Sequence, residues 1–472
     1  MPAEARSTDP EFMSQRTFER TVQLPTDAGS AFAWHTRPGA FERLVPPWEP
    51  VRLQGDPAPI VAGARQTVRF QLGPLSPPWT SEISEVEEGR LFRDVQLVGP
   101  FAEWEHTHEV EAVGEERSQL HDRVRYRLPL GPLGALFGGP MVRGRLDRMF
   151  DYRHAVTELD LRRHRAAAGR TLTVLVSGSS GLVGTALCAY LSTGGHTVRR
   201  LVRRSPRKSG EYRWDPLTGA VDPAAVEGCD AVVHLAGEGI ASGRWTRAQK
   251  RRIETSRVEG TRQVADAVRA ARTKPEVFLC ASAIGVYGSR GDELLDEDSS
   301  RGDDFLSHIG REWEREANNL AEVRSVQARF GVILSASGGA LKKMLLPFLA
   351  GAGGRLGSGK QWMSWIALED VLGALQHLLL HPELRGPVNV VAPNPVTNAD
   401  YTRTLGRVLR RPAIAPVPSL AVRALFGEMG DALLLASQRV QPRRLVDSGF
   451  EFAFPELEGA LRHTLGRPRR GG

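Results

Sequence analysis

Between residues 17 and 128, apolar and polar positions alternate in short runs: 17–24, 65–72, 80–86, 91–97, 103–110 and 119–128. A period of two with Gly and Pro at the breaks predicts an antiparallel sheet. Residues 27–43 suit a short helix instead. A long helix follows the last strand, where Leu146, Met149, Phe150, Val156 and Leu159 recur at helical spacing and turn one apolar stripe to the sheet. The segment 161–170, LRRHRAAAGR, loses this period and marks a boundary, so 15–165 reads as one α+β domain. Beyond it the texture changes to buried strand, glycine loop, apolar helix: 172–176, 178–184 and 185–191, then strands at 196–202, 230–236 and 277–281 with a helix at 263–271. Strands alternating with helices at this spacing predict an α/β, doubly wound parallel sheet of Rossmann type over 170–467.

A length of 472 residues fits two or three domains. Cys188, Cys229 and Cys280 lie far apart with no CxxC pair, so neither a disulfide framework nor a metal site is expected, and a reducing cytoplasm fits best. No apolar run approaches the roughly 20 residues of a membrane span. Residues 1–12 are polar, precede a second methionine, Met13, and are expected to be a leader or a misassigned start. The charge is +7 with a pI near 9.6, a modest excess for the length and without a nucleic-acid-binding motif, so nucleic acid is not expected as a partner. One basic run stands out: Arg199, Arg200, Arg203, Arg204, Arg207 and Lys208.

That run has a place in the nucleotide reading. In Gly178-Ser179-Ser180-Gly181-Leu182-Val183-Gly184 the three glycines serve a tight turn, close approach of backbone to a pyrophosphate, and close contact of helix with strand. The helix N-terminus then presents amides to the phosphates. The flanking strand and helix supply the context such a motif requires. About 20 residues on, where the ribose is read, stand Arg203 and Arg204, and no acid occurs between Gly178 and Gly210. A 2′-hydroxyl wants a carboxylate there, whereas a 2′-phosphate wants guanidinium forks, so the expected cofactor is NADP(H). Leu235, Ala236 and Gly237, at the end of the 230–236 strand, are expected beside it.

Two resemblances extend this reading. The runs AFAWHTRPGAFERLVPPWEPV, VGPFAEWEHTHEV and MFDYRHAVTELDL resemble SRPBCC domains, helix-grip folds related to START and polyketide-cyclase proteins. The resemblance implies a cavity for a hydrophobic small molecule, which Trp34, His35, Trp48, Phe101, Trp104, His106 and His108 could line, although for each one singly ordinary core or a satisfied polar residue is the stronger reading. The C-terminal part resembles extended short-chain dehydrogenase/reductases, and more narrowly the YfcH-like epimerase family proteins, through GSSGLVG, WDP, HLAGEGI, RWT, SRVEGT, SAIGVYG, WERE, GGRLGSGKQWMSWIALEDV, GPVNVVAPNPVTNADY and RPAIAPVP. It implies cofactor contacts at Arg257 and Ser282 and a small C-terminal part that binds substrate.

The sequence departs from that family at its chemistry. Ordinary members use Ser with YxxxK, in which lysine and cofactor tune a tyrosine to exchange a proton as hydride moves. Here Ser282 is kept, Arg257 replaces the usual asparagine of NVxGT, and the YxxxK positions fall on Leu306 and Gly310 if Glu314 matches the family's helix acid. Tyr287, five residues after Ser282, is the expected replacement, with Glu238 and Lys250 as further options. The glycine-rich segment 351–365, with Lys360, Gln361, Trp362 and Trp365, is expected to be a lid over substrate. Two functions compete. One is an NADP(H)-dependent oxidoreductase or epimerase-like enzyme supplied with an apolar substrate by its fused N-terminal domain. The other is a non-catalytic NADP(H)-sensing regulator, since some relatives carry a cell-division-inhibitor label.

Overall fold

The computed structural model describes residues 15–71, 75–167 and 169–467; residue 72 of the second expected strand and residues 1–12 lie outside them. Internal contacts divide the chain into two units: the first takes the residues up to Ala168 together with Ser192–Gly195, the second Gly169–Leu191 and the residues from His196 on.

The first unit is a seven-stranded antiparallel sheet: β1 (Gln15–Leu24), β2 (Val51–Gln54), β3 (Arg65–Phe70), β4 (Pro78–Glu87), β5 (Leu91–Val98), β6 (Glu103–Gly114) and β7 (Arg117–Arg127), in the order β1-β7-β6-β5-β4-β3-β2. The four-residue β2 is too short to have shown an alternating pattern. The expected helix at 27–43 is two, α1 (Ala28–Thr36) and α2 (Ala40–Leu44), because Pro38 follows the first and Gly39 adopts φ +96°, which glycine tolerates. Helix α3 (Gly131–Ala166) runs through most of the segment read as a boundary, since polar residues can extend a helix without an apolar stripe. Its inward residues Leu146 and Phe150 join Phe18, Val124, Tyr126 and Leu128, whereas Leu161 joins Leu24, Trp34, Val110 and Leu120. Trp34 is thus core. A polar band separates the two clusters: along the inward face of β7, Asp122 falls between Leu120 and Val124.

The second unit carries β8 (Thr173–Ser177), β9 (Thr197–Val202), β10 (Glu211–Asp215), β11 (Ala220–Val221), β12 (Ala231–His234), β13 (Val277–Ala283), β14 (Arg324–Phe330) and β15 (Gly386–Val390). Their order is β11-β10-β9-β8-β12-β13-β14-β15, parallel throughout except for β11. Helix α4 (Leu182–Thr193) covers one face of the sheet with α7 (Leu368–Leu380); α5 (Arg247–Ala270) and α6 (Phe305–Asn318) cover the other. Val174, Leu175 and Val176 are therefore wholly buried, as a strand covered on both faces must be. The chain leaves β8 toward β9 on one side and returns to β12 on the other. This switch point opens a crevice beyond the strands' carboxyl ends.

Candidate functional site

The crevice collects the loop ends that the sequence singled out. Gly178 turns at φ +67°, and a side chain there would come within 2.7 Å of the Leu235 carbonyl carbon and 2.8 Å of the Ala236 nitrogen. A Cβ on Gly184 would reach 2.2 Å from the Gly178 oxygen, so α4 can start against this turn only with glycine. Ser180 and Gly181 are exposed and Ser179 half-buried, at the mouth of the loop; Leu182 and Val183 are half-buried, with Val183 turned to the core. Across from them, Ser177 Oγ accepts from the Leu235 amide at 3.1 Å and lies 2.8 Å from His234 Nδ1. Burial pushes the His234 imidazole down to about 4.

The basic run divides into different roles. Arg199 donates to the carbonyls of Ala224, Ala225 and Glu227 at 2.7–3.2 Å, a structural clasp. Arg204 forms a two-pronged pair with Glu211 on β10, at 2.6 and 2.7 Å, and this bond with the Arg207 amide holds the Glu211 carboxyl down at about 2. Arg203, directly after β9, is exposed. The stretch free of acids thus ends one residue too early to exclude a carboxylate beside the run, but Arg204 already occupies that carboxylate. Arg257 on α5 donates to the Glu238 carbonyl at 3.0 Å and lies against the Trp313 ring beside Gly237; burial lowers its guanidinium to about 10.

Ser282 and Tyr287 do not meet in the crevice. Each is buried at opposite ends of a chain of hydrogen bonds. Ser282 Oγ donates to Glu314 Oε1 at 2.8 Å; Arg329 grips Glu314 with two prongs at 2.7 and 2.8 Å; Arg329 Nη1 donates to the Tyr287 hydroxyl at 2.8 Å; and that hydroxyl donates to Asn389 Oδ1 at 2.8 Å. Burial raises the Tyr287 phenol to about 12, against the lowering by Arg329 and Asn389. For Glu314, burial would raise the carboxyl, but the Arg329 contacts outweigh it and hold it low. Tyr287 thus lies in a buried network, with its hydroxyl between Arg329 and Asn389. Helix α6 does not restore the missing pair, because Leu306 and Gly310 lie against the turn that carries Gly285 and Val286. Lys250 is paired with Glu428 at 2.5 Å, and Glu238 Oε1 accepts from Gln249 at 3.3 Å.

The expected lid is pinned. Trp365 is wholly buried, Gln361 donates to the carbonyls of Leu356 and Leu434 at 3.1 Å, and Trp362 Nε1 donates to Asp292 at 2.8 Å beneath the Arg439 guanidinium. Lys360 alone of the four named side chains is exposed. Aromatic residues beside glycines read as a mobile segment when seen only in sequence.

Residues 174–391 match the NAD dependent epimerase/dehydratase family. An epimerase family protein of Mycobacterium bovis, Mb2239, is 44% identical over 297 residues, 62% of this chain and 98% of its own. The chain belongs to the epimerase family. The crystal structure of the human epimerase family protein SDR39U1 with NADPH superposes with a TM-score of 0.58 at 38% identity over 62% of this chain and 99% of that one. A nucleoside-diphosphate sugar epimerase from Corynebacterium glutamicum superposes with a TM-score of 0.77 at 34% identity, over 95% of this chain and 90% of that one. In this epimerase family chain, residues 417–464 also match a domain of unknown function. Sequence reasoning missed Arg329 and Asn389, whose partner Tyr287 is distant in the chain, and Glu211, which falls just past the acid-free stretch that was searched.

Proposed function

We propose that the second unit binds NADP(H) and acts as an atypical short-chain dehydrogenase/reductase or epimerase-like oxidoreductase on a small molecule. The observation that carries this is Arg203: a guanidinium at the end of β9 with no protein partner among the described residues, beside a carboxylate that Arg204 has neutralised. A 2′-phosphate suits it and a ribose hydroxyl does not. The NADPH in the human relative's structure supports the same cofactor. Gly178 to Gly184, Leu235 to Gly237 and Arg257 form the surrounding contacts, and Ser282, at the end of β13, is the cofactor-side serine of the reaction, with Tyr287 in the network behind it. The test is calorimetric titration with NADPH and NADH, followed by single-turnover hydride transfer across a substrate panel. Equal affinity for the two cofactors refutes the assignment.

A second reading, a non-catalytic NADP(H)-sensing regulator, is favoured by one specific fact: Tyr287, Leu306 and Gly310 leave no tyrosine-lysine pair to relay a proton. Complete absence of hydride transfer with intact NADPH binding selects it. For the first unit, we propose an SRPBCC-like helix-grip domain that holds a hydrophobic small molecule. The sheet clasping α3 supports this, as does the aromatic group of Trp79, Phe101, Trp104 and Tyr126, with centroids 4.9–6.3 Å apart. Co-purified ligand identified by mass spectrometry tests it. Residence in the cytoplasm is part of the proposal: no described helix is long and apolar enough to cross a membrane, and all three cysteines are free and buried.

A further inference from the structure

We propose that the first unit holds one divalent transition-metal ion on Asp94, His106 and His108, with Asp122 behind them as the carboxylate that orients the imidazoles. The inference stands apart from whether this unit also carries an apolar ligand.

The sheet register assembles the group. His106 and His108 are two apart on β6 and so share a face. Asp94 on β5 pairs directly with His106, and Asp122 on β7 pairs directly with His108. Four polar side chains from three adjacent strands thus converge on the inward face, and His154 of α3 closes over them with Nε2 at 2.6 Å from Asp122 Oδ2. One ligand atom from each of Asp94, His106 and His108 lies within 4.8 Å of the others. Tetrahedral ligands at about 2.1 Å from one ion stand about 3.4 Å apart; His106 Nδ1 and Asp94 Oδ1 are already at 3.6 Å, and the widest pair must draw together by at most about 1.4 Å, within reach of side-chain rotation.

The second line of argument is the way the imidazoles are held. His106 Nε2 lies 3.1 Å from Asp122 Oδ1 while its Nδ1 faces Asp94 Oδ1 at 3.6 Å, beyond a hydrogen bond. A histidine that gives one nitrogen to a carboxylate and aims the other at an acid is arranged as metal-binding histidines are. His108 Nδ1 is 2.7 Å from the same Asp122 Oδ1, so one carboxylate holds both rings. The His108 side chain is more than nine-tenths buried. Two histidines and one carboxylate suit Zn²⁺, Fe²⁺ or Co²⁺, and three protein ligands leave a position open for water or an incoming ligand.

The test uses the full chain without an affinity tag, stripped with a chelator and titrated with Zn²⁺ by calorimetry and with Co²⁺ by visible absorption. The expected result is one equivalent per chain, ligand-field bands for Co²⁺, and a thermal midpoint that rises with Zn²⁺. In a His106→Gln/His108→Gln double variant the site is lost, and Asp122→Asn weakens it by roughly 10- to 100-fold. Should either variant fail to fold, Asp94→Asn, at a side chain 19% exposed, replaces it and also weakens binding. A stripped wild-type chain that takes up no ion overturns the proposal. So does a folded double variant that binds with unchanged stoichiometry and affinity.

Discussion

Tyr287 carries its hydroxyl inside the protein, so its removal is a question of stability before it is one of chemistry. Tyr287→Phe leaves Arg329 Nη1 and Asn389 Oδ1 each short of a partner, and the expected loss is about 1–3 kcal/mol, read from urea unfolding, with NADPH affinity unchanged. The two arginines after β9 should separate in the same way. Arg203→Ala is expected to weaken NADPH binding by about 1.5–3 kcal/mol and to leave NADH binding nearly untouched. Arg204→Ala instead releases the Glu211 carboxylate and should narrow the preference by admitting a ribose hydroxyl; calorimetry on both variants checks this. His234 adds a dependence on pH. Its folded value near 4 lies below the ordinary 6.5, so the stability it contributes is complete above pH 6.5 and is lost as pH falls toward 4. The contribution of this one residue amounts to about 2 kcal/mol between pH 7.5 and pH 5, and His234→Gln should flatten the stability profile by about that much.

Helix α6 shows why the family's catalytic pair cannot simply be written back in. A Cβ at Gly310 would stand 3.2 Å from Val286 Cβ, so any side chain there presses on the turn and forces it to give by a few tenths of an ångström. Leu306→Tyr with Gly310→Lys is therefore expected to cost about 1–3 kcal/mol by overpacking and to give no gain in hydride transfer. Adding Val286→Ala should recover part of the stability, measurable as a partial return of the thermal midpoint. At this scale the sequence was informative where pattern is local. The strand before Gly178, the loop and α4 could be read directly, because β-branched residues, glycines and an apolar helix follow one another within 20 residues. Helix α5 was read only at its C-terminal end, because its earlier turns are charged. The pairing of His108 with Asp122 and the grip of Arg329 on Glu314 depend on strand register and on sheet order, which no local pattern records. The histidines of the first unit could have been suspected from their i, i+2 spacing on a strand, a signal that a search for cysteine spacings passes over.

The main division, between Ala168 and Gly169, falls where alternating strands give way to a glycine-loop pattern; the sequence reading ended its first domain at residue 165, inside α3, and had no signal for the return of Ser192–Gly195 to the first unit. Each unit has its own buried clusters, so a fragment of residues 170–467 is expected to fold and to bind NADPH within a few-fold of the full chain. An unfolded fragment, judged by circular dichroism, would show that the units depend on one another. The exposed position of Arg203 has a consequence for the conditions under which the protein discriminates. A guanidinium that faces water is shielded by dissolved ions, whose reach shortens from about 10 Å at 0.1 M to about 3 Å at 1 M. The choice between the two nicotinamide nucleotides then depends on the medium as well as on the fold: it is sharpest in dilute buffer and fades as ionic strength rises, because only the nucleotide with the extra phosphate loses a charge contact.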